Sequence, residues 1–178
     1  MKIKFQVAMA AFAAATMFAP LAAKAADVSH TVQTVDLSEG SKDYGASFGR
    51  NNKNNTFTDL YTFTVGGGEF SALTSSISTT PGPDVLALTG FWLTQGTSVV
   101  ATGSQKQNGS TDLWSIDLTT LGSGTYTLHV KGTVLTNLAA SYSGNLNLVA
   151  VPEPETYAML LGGLGLIGFA ARRKKQAA

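Results

Sequence analysis

Thr56-Phe57-Thr58-Asp59-Leu60-Tyr61-Thr62-Phe63-Thr64-Val65 has a period of two: threonines at 56, 58, 62 and 64 alternate with Phe57, Asp59, Tyr61, Phe63 and Val65. Successive strand side chains point to opposite faces, so this stretch is a half-buried β-strand. The period recurs in Gly124-Thr125-Tyr126-Thr127-Leu128-His129-Val130-Lys131, which puts Tyr126, Leu128 and Val130 on one face. Working outward, Val28–Leu37, Glu69–Ser78, Val85–Leu93, Ser98–Ala101, Leu113–Leu118 and Tyr142–Ala150 are further strand candidates. Turn residues separate them: Gly66-Gly67-Gly68, Pro81-Gly82-Pro83-Asp84, Asn108-Gly109, Gly122-Ser123-Gly124 and Ser143-Gly144-Asn145. About eight short strands without a helical period predict an all-β chain, a single β-sandwich of jelly-roll or immunoglobulin-like build over residues 26–150.

The ends of the 178-residue chain differ from this middle. Lys2 and Lys4 precede an apolar run, Val7 to Ala19, and Ala23-Lys24-Ala25 supplies small residues at the two positions a signal peptidase reads. Residues 1–25 therefore read as a cleaved signal peptide. At the other end, Val151-Pro152-Glu153-Pro154-Glu155 leads into an apolar run, Thr156 to Ala171, closed by Arg172-Arg173-Lys174-Lys175. The prolines bias their neighbours to extended backbone. Sixteen residues of helix span about 24 Å, less than the ~30 Å hydrocarbon core, and Gly162, Gly163, Gly165 and Gly168 weaken the helix. The four cations form a cytoplasmic stop signal. This is a marginal transmembrane segment with its domain outside.

Val-Pro-Glu-Pro, a glycine-rich apolar segment and a basic end together resemble the PEP-CTERM sorting signal of Gram-negative bacteria. The resemblance implies processing of residues 151–178 by an exosortase, with Pro152, Glu153 and Pro154 as the sorting motif. It also implies company with exopolysaccharide and biofilm production. Export would place the precursor at the inner membrane facing the periplasm, then at the cell surface or outside. The alternative is a plain stop-transfer anchor. Phe57-Thr58-Asp59-Leu60-Tyr61 also resembles the motif of the FxDxF group of such proteins, with Tyr61 in place of the second Phe.

Charge excludes some functions. Residues 26–151 carry five bases against nine acids, a net charge of −4, and no basic stripe that would suit nucleic acid. Zero cysteines exclude disulfides and thiol-bound metal, and the two histidines, His30 and His129, are too few for a nitrogen-ligated site. No cofactor is expected. Gly45-Ala46-Ser47-Phe48-Gly49 matches the hydrolase elbow G-x-S-x-G, but Ser41-Lys42-Asp43 before it and Arg50 to Asn55 after it read as loop, where the elbow needs strand and helix. The chain is expected not to be an enzyme. His129 falls on the polar face of its strand, and His30 lies close to the new amino terminus, where order is doubtful.

Three features leave alternatives open. Asp59 shares the core face of its strand, and a buried carboxylate requires partners. It is either a rim residue accepting backbone N–H groups from a nearby loop or part of a calcium site. Trp92 and Trp114 sit in apolar strands and suit the core; facing solvent, either ring offers a platform for sugars. The T-x-T pairs Thr56/Thr58, Thr62/Thr64 and Thr125/Thr127 suit an ice-binding array, although no internal repeat supports one. The leading expectation is an exported surface or matrix protein, with a carbohydrate-binding module as alternative and ice binding as a minor one. Signal peptidase, exosortase, exopolysaccharide and membrane are the expected partners.

Overall fold

The computed structural model describes residues 25–77, 84–150, 158–167 and 172. Ten strands are present: β1 (Gln33–Thr34), β2 (Ser41–Phe48), β3 (Thr56–Val65), β4 (Gly68–Ile77), β5 (Leu86–Gln95), β6 (Ser98–Thr102), β7 (Ser104–Gln107), β8 (Thr111–Leu121), β9 (Gly124–Val134) and β10 (Ala140–Val149). They form two five-stranded sheets, A in the order β1-β3-β9-β5-β6 and B in the order β2-β10-β4-β8-β7. The sandwich is as expected.

The pairing chooses between the two sandwich types. β5 pairs with β6, β4 with β8, β3 with β9 and β2 with β10, all antiparallel. These pairs are nested, as if one long two-stranded ribbon had been rolled up. Contacts of β5 with β9 and of β4 with β10 close the roll. This is jelly-roll connectivity, to which β1 and β7 add short edge strands.

Alternation along β3 holds as read: Phe57, Asp59, Tyr61, Phe63 and Val65 are all buried. On β9, Tyr126, Leu128, Val130 and Val134 join them, and Phe91 and Leu93 of β5 complete the wall of sheet A. Phe70 of β4 and Tyr142 and Leu146 of β10 face them from sheet B. The core is rich in rings: Phe63 stacks on Phe70 at 5.2 Å, and Phe57 on Tyr142 at 5.5 Å. Each such buried ring contributes about 1.5–3 kcal/mol from removal of apolar surface.

Gly132, opposite Phe57 on β9, is needed for space: a Cβ there would lie 2.5 Å from Phe57 Cζ and 2.6 Å from the Ala87 carbonyl. Gly132→Ala is expected to lower stability by about 1–3 kcal/mol through overpacking, read from the urea midpoint. An unchanged midpoint would mean that the Phe57 ring moves aside freely.

Two sequence expectations need correction, and one strand was unforeseen. Ser41-Lys42-Asp43 is strand, the start of β2, not loop; only Tyr44 and Phe48 of β2 are large and buried, because an edge strand needs few inward anchors. Val28–Leu37 is not one continuous strand. It touches β3 through a bridge at Asp27–Thr56 and the two-residue β1, with the ladder broken between them. β7, wholly exposed, had no apolar signal to announce it. Residues 158–167 are helical and exposed, and among the described residues no helix is long and apolar enough to cross a membrane. The expected span from 156 to 171 runs beyond the described residues. So do nearly all of the signal peptide, Pro152, Glu153 and Pro154, the turn at 81–83, and Arg173, Lys174 and Lys175. Arg172 is described and exposed.

Candidate functional sites

The motif Phe57-x-Asp59-x-Tyr61 lies inside the sandwich. Alternation carries all three side chains to the core, where Asp59 is 1% exposed. Its carboxylate accepts the Tyr142 hydroxyl at 2.6 Å and the His30 backbone N–H at 2.7 Å. His30 Nδ1 lies 3.2 Å from both carboxylate oxygens. Since Tyr142 donates to Asp59, the 2.9 Å contact between the two phenols must have Tyr61 donating to Tyr142. Burial pushes both phenols upward, Tyr61 to about 12, and the Asp59 charge adds to the effect in each.

This network explains the gap in the first strand. Between Asp27 and Gln33 the chain leaves the backbone ladder, and Asp59 supplies the acceptor that the strand edge would have given to His30. Ser29 plays the reciprocal part, its hydroxyl accepting the Thr58 N–H at 2.7 Å. Asp59 therefore latches the amino-terminal segment to sheet A. The expectation of a carboxylate accepting a backbone N–H from a neighbouring segment holds, but the residue is in the core rather than at a rim. His30, set aside as poorly ordered, is its partner. The calcium alternative finds the carboxylate occupied by protein donors, and the described residues contain no group of three or more His, Cys, Asp or Glu.

A second buried carboxylate went unread because the sequence strand was started at Leu113, two residues after the start of β8. Asp112 of β8 is 2% exposed. A bulge between Leu88 and Gly90 of β5 disturbs the ladder beside Leu88. Asp112 Oδ2 accepts the Leu88 N–H at 2.8 Å, and Trp114 Nε1–H donates to the Leu88 carbonyl at 3.2 Å. Both polar groups of Leu88 are thus satisfied across the sandwich by side chains of the opposite sheet.

Trp114 packs against the core as expected, whereas Trp92 does not. Both are half-buried. Trp92 points outward from sheet A and stacks on His129 at 4.7 Å, their planes 12° apart. His129 is on the outer face as read, though half-buried rather than fully solvated. Its desolvation lowers its pKa below the ordinary value, which keeps the ring neutral at pH 7. Its Nε2 lies 3.0 Å from Thr94 Oγ1, whose hydroxyl donates to the Thr127 carbonyl. The consistent tautomer carries its proton on Nε2.

The threonine pairs do come into register: Thr62 faces Thr127 and Thr64 faces Thr125, hydroxyl to hydroxyl at 3.3 and 2.9 Å. Along the strands the array is interrupted by Leu60–His129 and Thr58–Lys131, while across them the Thr62–Thr127 row takes in Thr34 of β1 and Thr94 of β5. Gly45-Ala46-Ser47-Phe48-Gly49 runs from β2 into a loop, so Ser47 is on a strand and not on an elbow between strand and helix.

Residues 150–174 match the family model of the PEP-CTERM protein-sorting motif. The recognition of the tail is thereby established, and the match begins one residue after β10 ends. No curated protein matches the chain at a significant level. Among solved structures, the fold is similar to the pre-peptidase C-terminal domain of a collagenase from Bacillus anthracis, at 16% identity and a TM-score of 0.43, covering 66% of this chain and 95% of that one. It is also similar to PliG of Aeromonas hydrophila, a periplasmic inhibitor of g-type lysozyme, at 14% identity and a TM-score of 0.38, covering 70% of this chain and all of that one.

Proposed function

We propose that this chain is an exported, non-catalytic surface or matrix protein whose jelly roll is delivered through exosortase processing of its tail. The observation that carries the reading is the sorting motif, placed directly after the last strand. β10 is paired on both sides, with β2 and β4, so it is integral to sheet B. Processing beyond Ala150 leaves every strand in place, and the product released is the whole domain. In this reading residues 1–25 are the cleaved signal peptide, residues 26–150 the domain and residues 151–178 the sorting tail. That tail is held across the inner membrane of a Gram-negative cell until cleavage. Phe57, Asp59 and Tyr61 are the motif of the FxDxF group, and its chemistry is the core latch described above.

The test is replacement of Pro152, Glu153 and Pro154 with alanine. In a host with an exosortase, wild type should reach the surface or medium while the variant stays with the membrane fraction. Identical partition of the two would leave only a plain anchor.

A second reading is a carbohydrate-binding module. It is favoured by one observation, the outward, half-buried Trp92 beside hydroxyl-bearing side chains on sheet A.

A further inference from the structure

The two outer faces of the sandwich carry different charges. On sheet B, Asp43, Glu69 and Asp117 are exposed. On sheet A, β5, β6 and β9 contain no Asp or Glu, and the one acid of β3, Asp59, points into the core. The strands of sheet A thus expose no carboxylate; the exposed acids beside it, Asp27 and Asp36, belong to the segment along the β3 edge, and β9 and β3 lie between them and Trp92. The sheets of a sandwich lie about 10 Å apart, farther than the ~8 Å Debye length at physiological salt, so the acids of sheet B are largely screened from a ligand on sheet A.

A row of side chains crosses the middle of that face. The register puts Leu60, His129, Trp92 and Thr102 side by side on four adjacent strands. At about 4.8 Å per strand the row is about 14 Å long. The adjoining row holds exposed Lys131, flanked by Thr58 and Gly90. Among the described residues Lys131 is in neither of the two salt bridges. Gly90 keeps the surface open, because a Cβ there would come within 3.0 Å of the Trp92 ring. Beside Trp92 is a groove of about 360 Å³, lined also by Thr89, Phe91, Val99 and Thr102 of sheet A and by Trp114 of sheet B.

An indole in such a row offers a flat apolar surface for the C–H face of a pyranose. The polar groups around it decide which pyranose fits. His129, protonated on Nε2, keeps Nδ1 as an acceptor for one hydroxyl. The charged group is a cation, and there is no carboxylate to accept the several hydroxyls of a neutral sugar. Charge complementarity favours a ligand that brings its own acid. We propose that the outer face of sheet A binds an acidic polysaccharide, one ring stacking on Trp92 and a uronate carboxylate pairing with Lys131. The inference rests on the carbohydrate-binding reading and narrows it to a site and a sugar class.

The probes are oligosaccharides of alginate, a polyuronate, and neutral cellohexaose, titrated calorimetrically into the full exported chain. Wild type should bind alginate, more weakly as salt is raised. Trp92→Ala should weaken that binding at least about tenfold. Lys131→Gln should weaken it up to about fivefold and abolish most of the salt dependence. Trp92→Tyr, which keeps a ring, should retain part of the affinity, and Ser143→Ala on sheet B should change nothing; circular dichroism checks each fold. Binding of cellohexaose but not alginate, lost in Trp92→Ala, would overturn the acidic ligand and leave the carbohydrate reading intact. Binding of neither probe, or equal binding by wild type and the folded Trp92 variant, would overturn both.

Discussion

Asp59→Ala is expected to lower the unfolding free energy by about 3–5 kcal/mol, a large share of the 5–15 kcal/mol that holds a domain of this size. The carboxylate is 1% exposed and accepts the Tyr142 hydroxyl and the His30 N–H. Removing it strands the Tyr142 hydroxyl in the core, at a desolvation cost of about 1–3 kcal/mol, takes the acceptor from the part-buried His30 N–H, and leaves a cavity. Tyr142→Phe removes only one donor and should cost about 1–2 kcal/mol. In the double variant, part of the Asp59→Ala loss should disappear, since one stranded donor is gone. Urea denaturation of the exported protein measures all three. Amide exchange at His30 should accelerate in Asp59→Ala, because the amino-terminal segment loses its latch. A loss below about 1 kcal/mol would mean that water replaces the carboxylate and that the network is not structural.

The domain should also unfold at alkaline pH, steeply. Tyr61 is pushed to about 12 by burial, and burial raises Tyr44 and Tyr142 as well, with the Asp59 and Tyr61 hydrogen bonds adding to the rise in Tyr142. In the unfolded chain all three phenols ionise near pH 10. Above that pH the folded state binds more protons than the unfolded one, so stability falls as pH rises; below it the full stability is present. Each phenol contributes a slope of about 1.4 kcal/mol per pH unit, and three together about 4. That exhausts ordinary domain stability between about pH 11 and 13. Tyrosinate absorbance and circular dichroism, followed together through the titration, should change in one cooperative step. Ionisation of these three residues near pH 10 with the strands intact would contradict the buried network.

Much of the fold was legible because strand alternation is a local property. The ten residues of β3 and the run Gly124–Lys131 state in sequence which side chains go inward, and the structure agrees at each position. The tail was legible for a different reason: its prolines, apolar residues and cations form one contiguous motif in the sequence. β2 and β7 were missed because edge strands bury little, so their sequences carry little period. The first strand was overextended for the opposite reason, since its composition suits a strand but a side chain intercepts its backbone.

The sequence alone therefore determined which side chains of β3 and β9 turn inward, the all-β class and the sorting tail; it put Asp59 on the core face of its strand but read it as a rim residue. It did not determine what satisfies Asp59, because His30 and Tyr142 lie 29 and 83 positions away and only folding brings them to it. Nor did it determine that Trp92 faces outward over His129, since an apolar strand buried on one face reads much like one buried on both. The choice between jelly roll and immunoglobulin-like build, and the bulge whose orphaned groups Asp112 and Trp114 satisfy, belong to the tertiary structure. Strand order and partner choice are set by long-range packing of similar apolar faces, and alternation carries no label saying which face meets which.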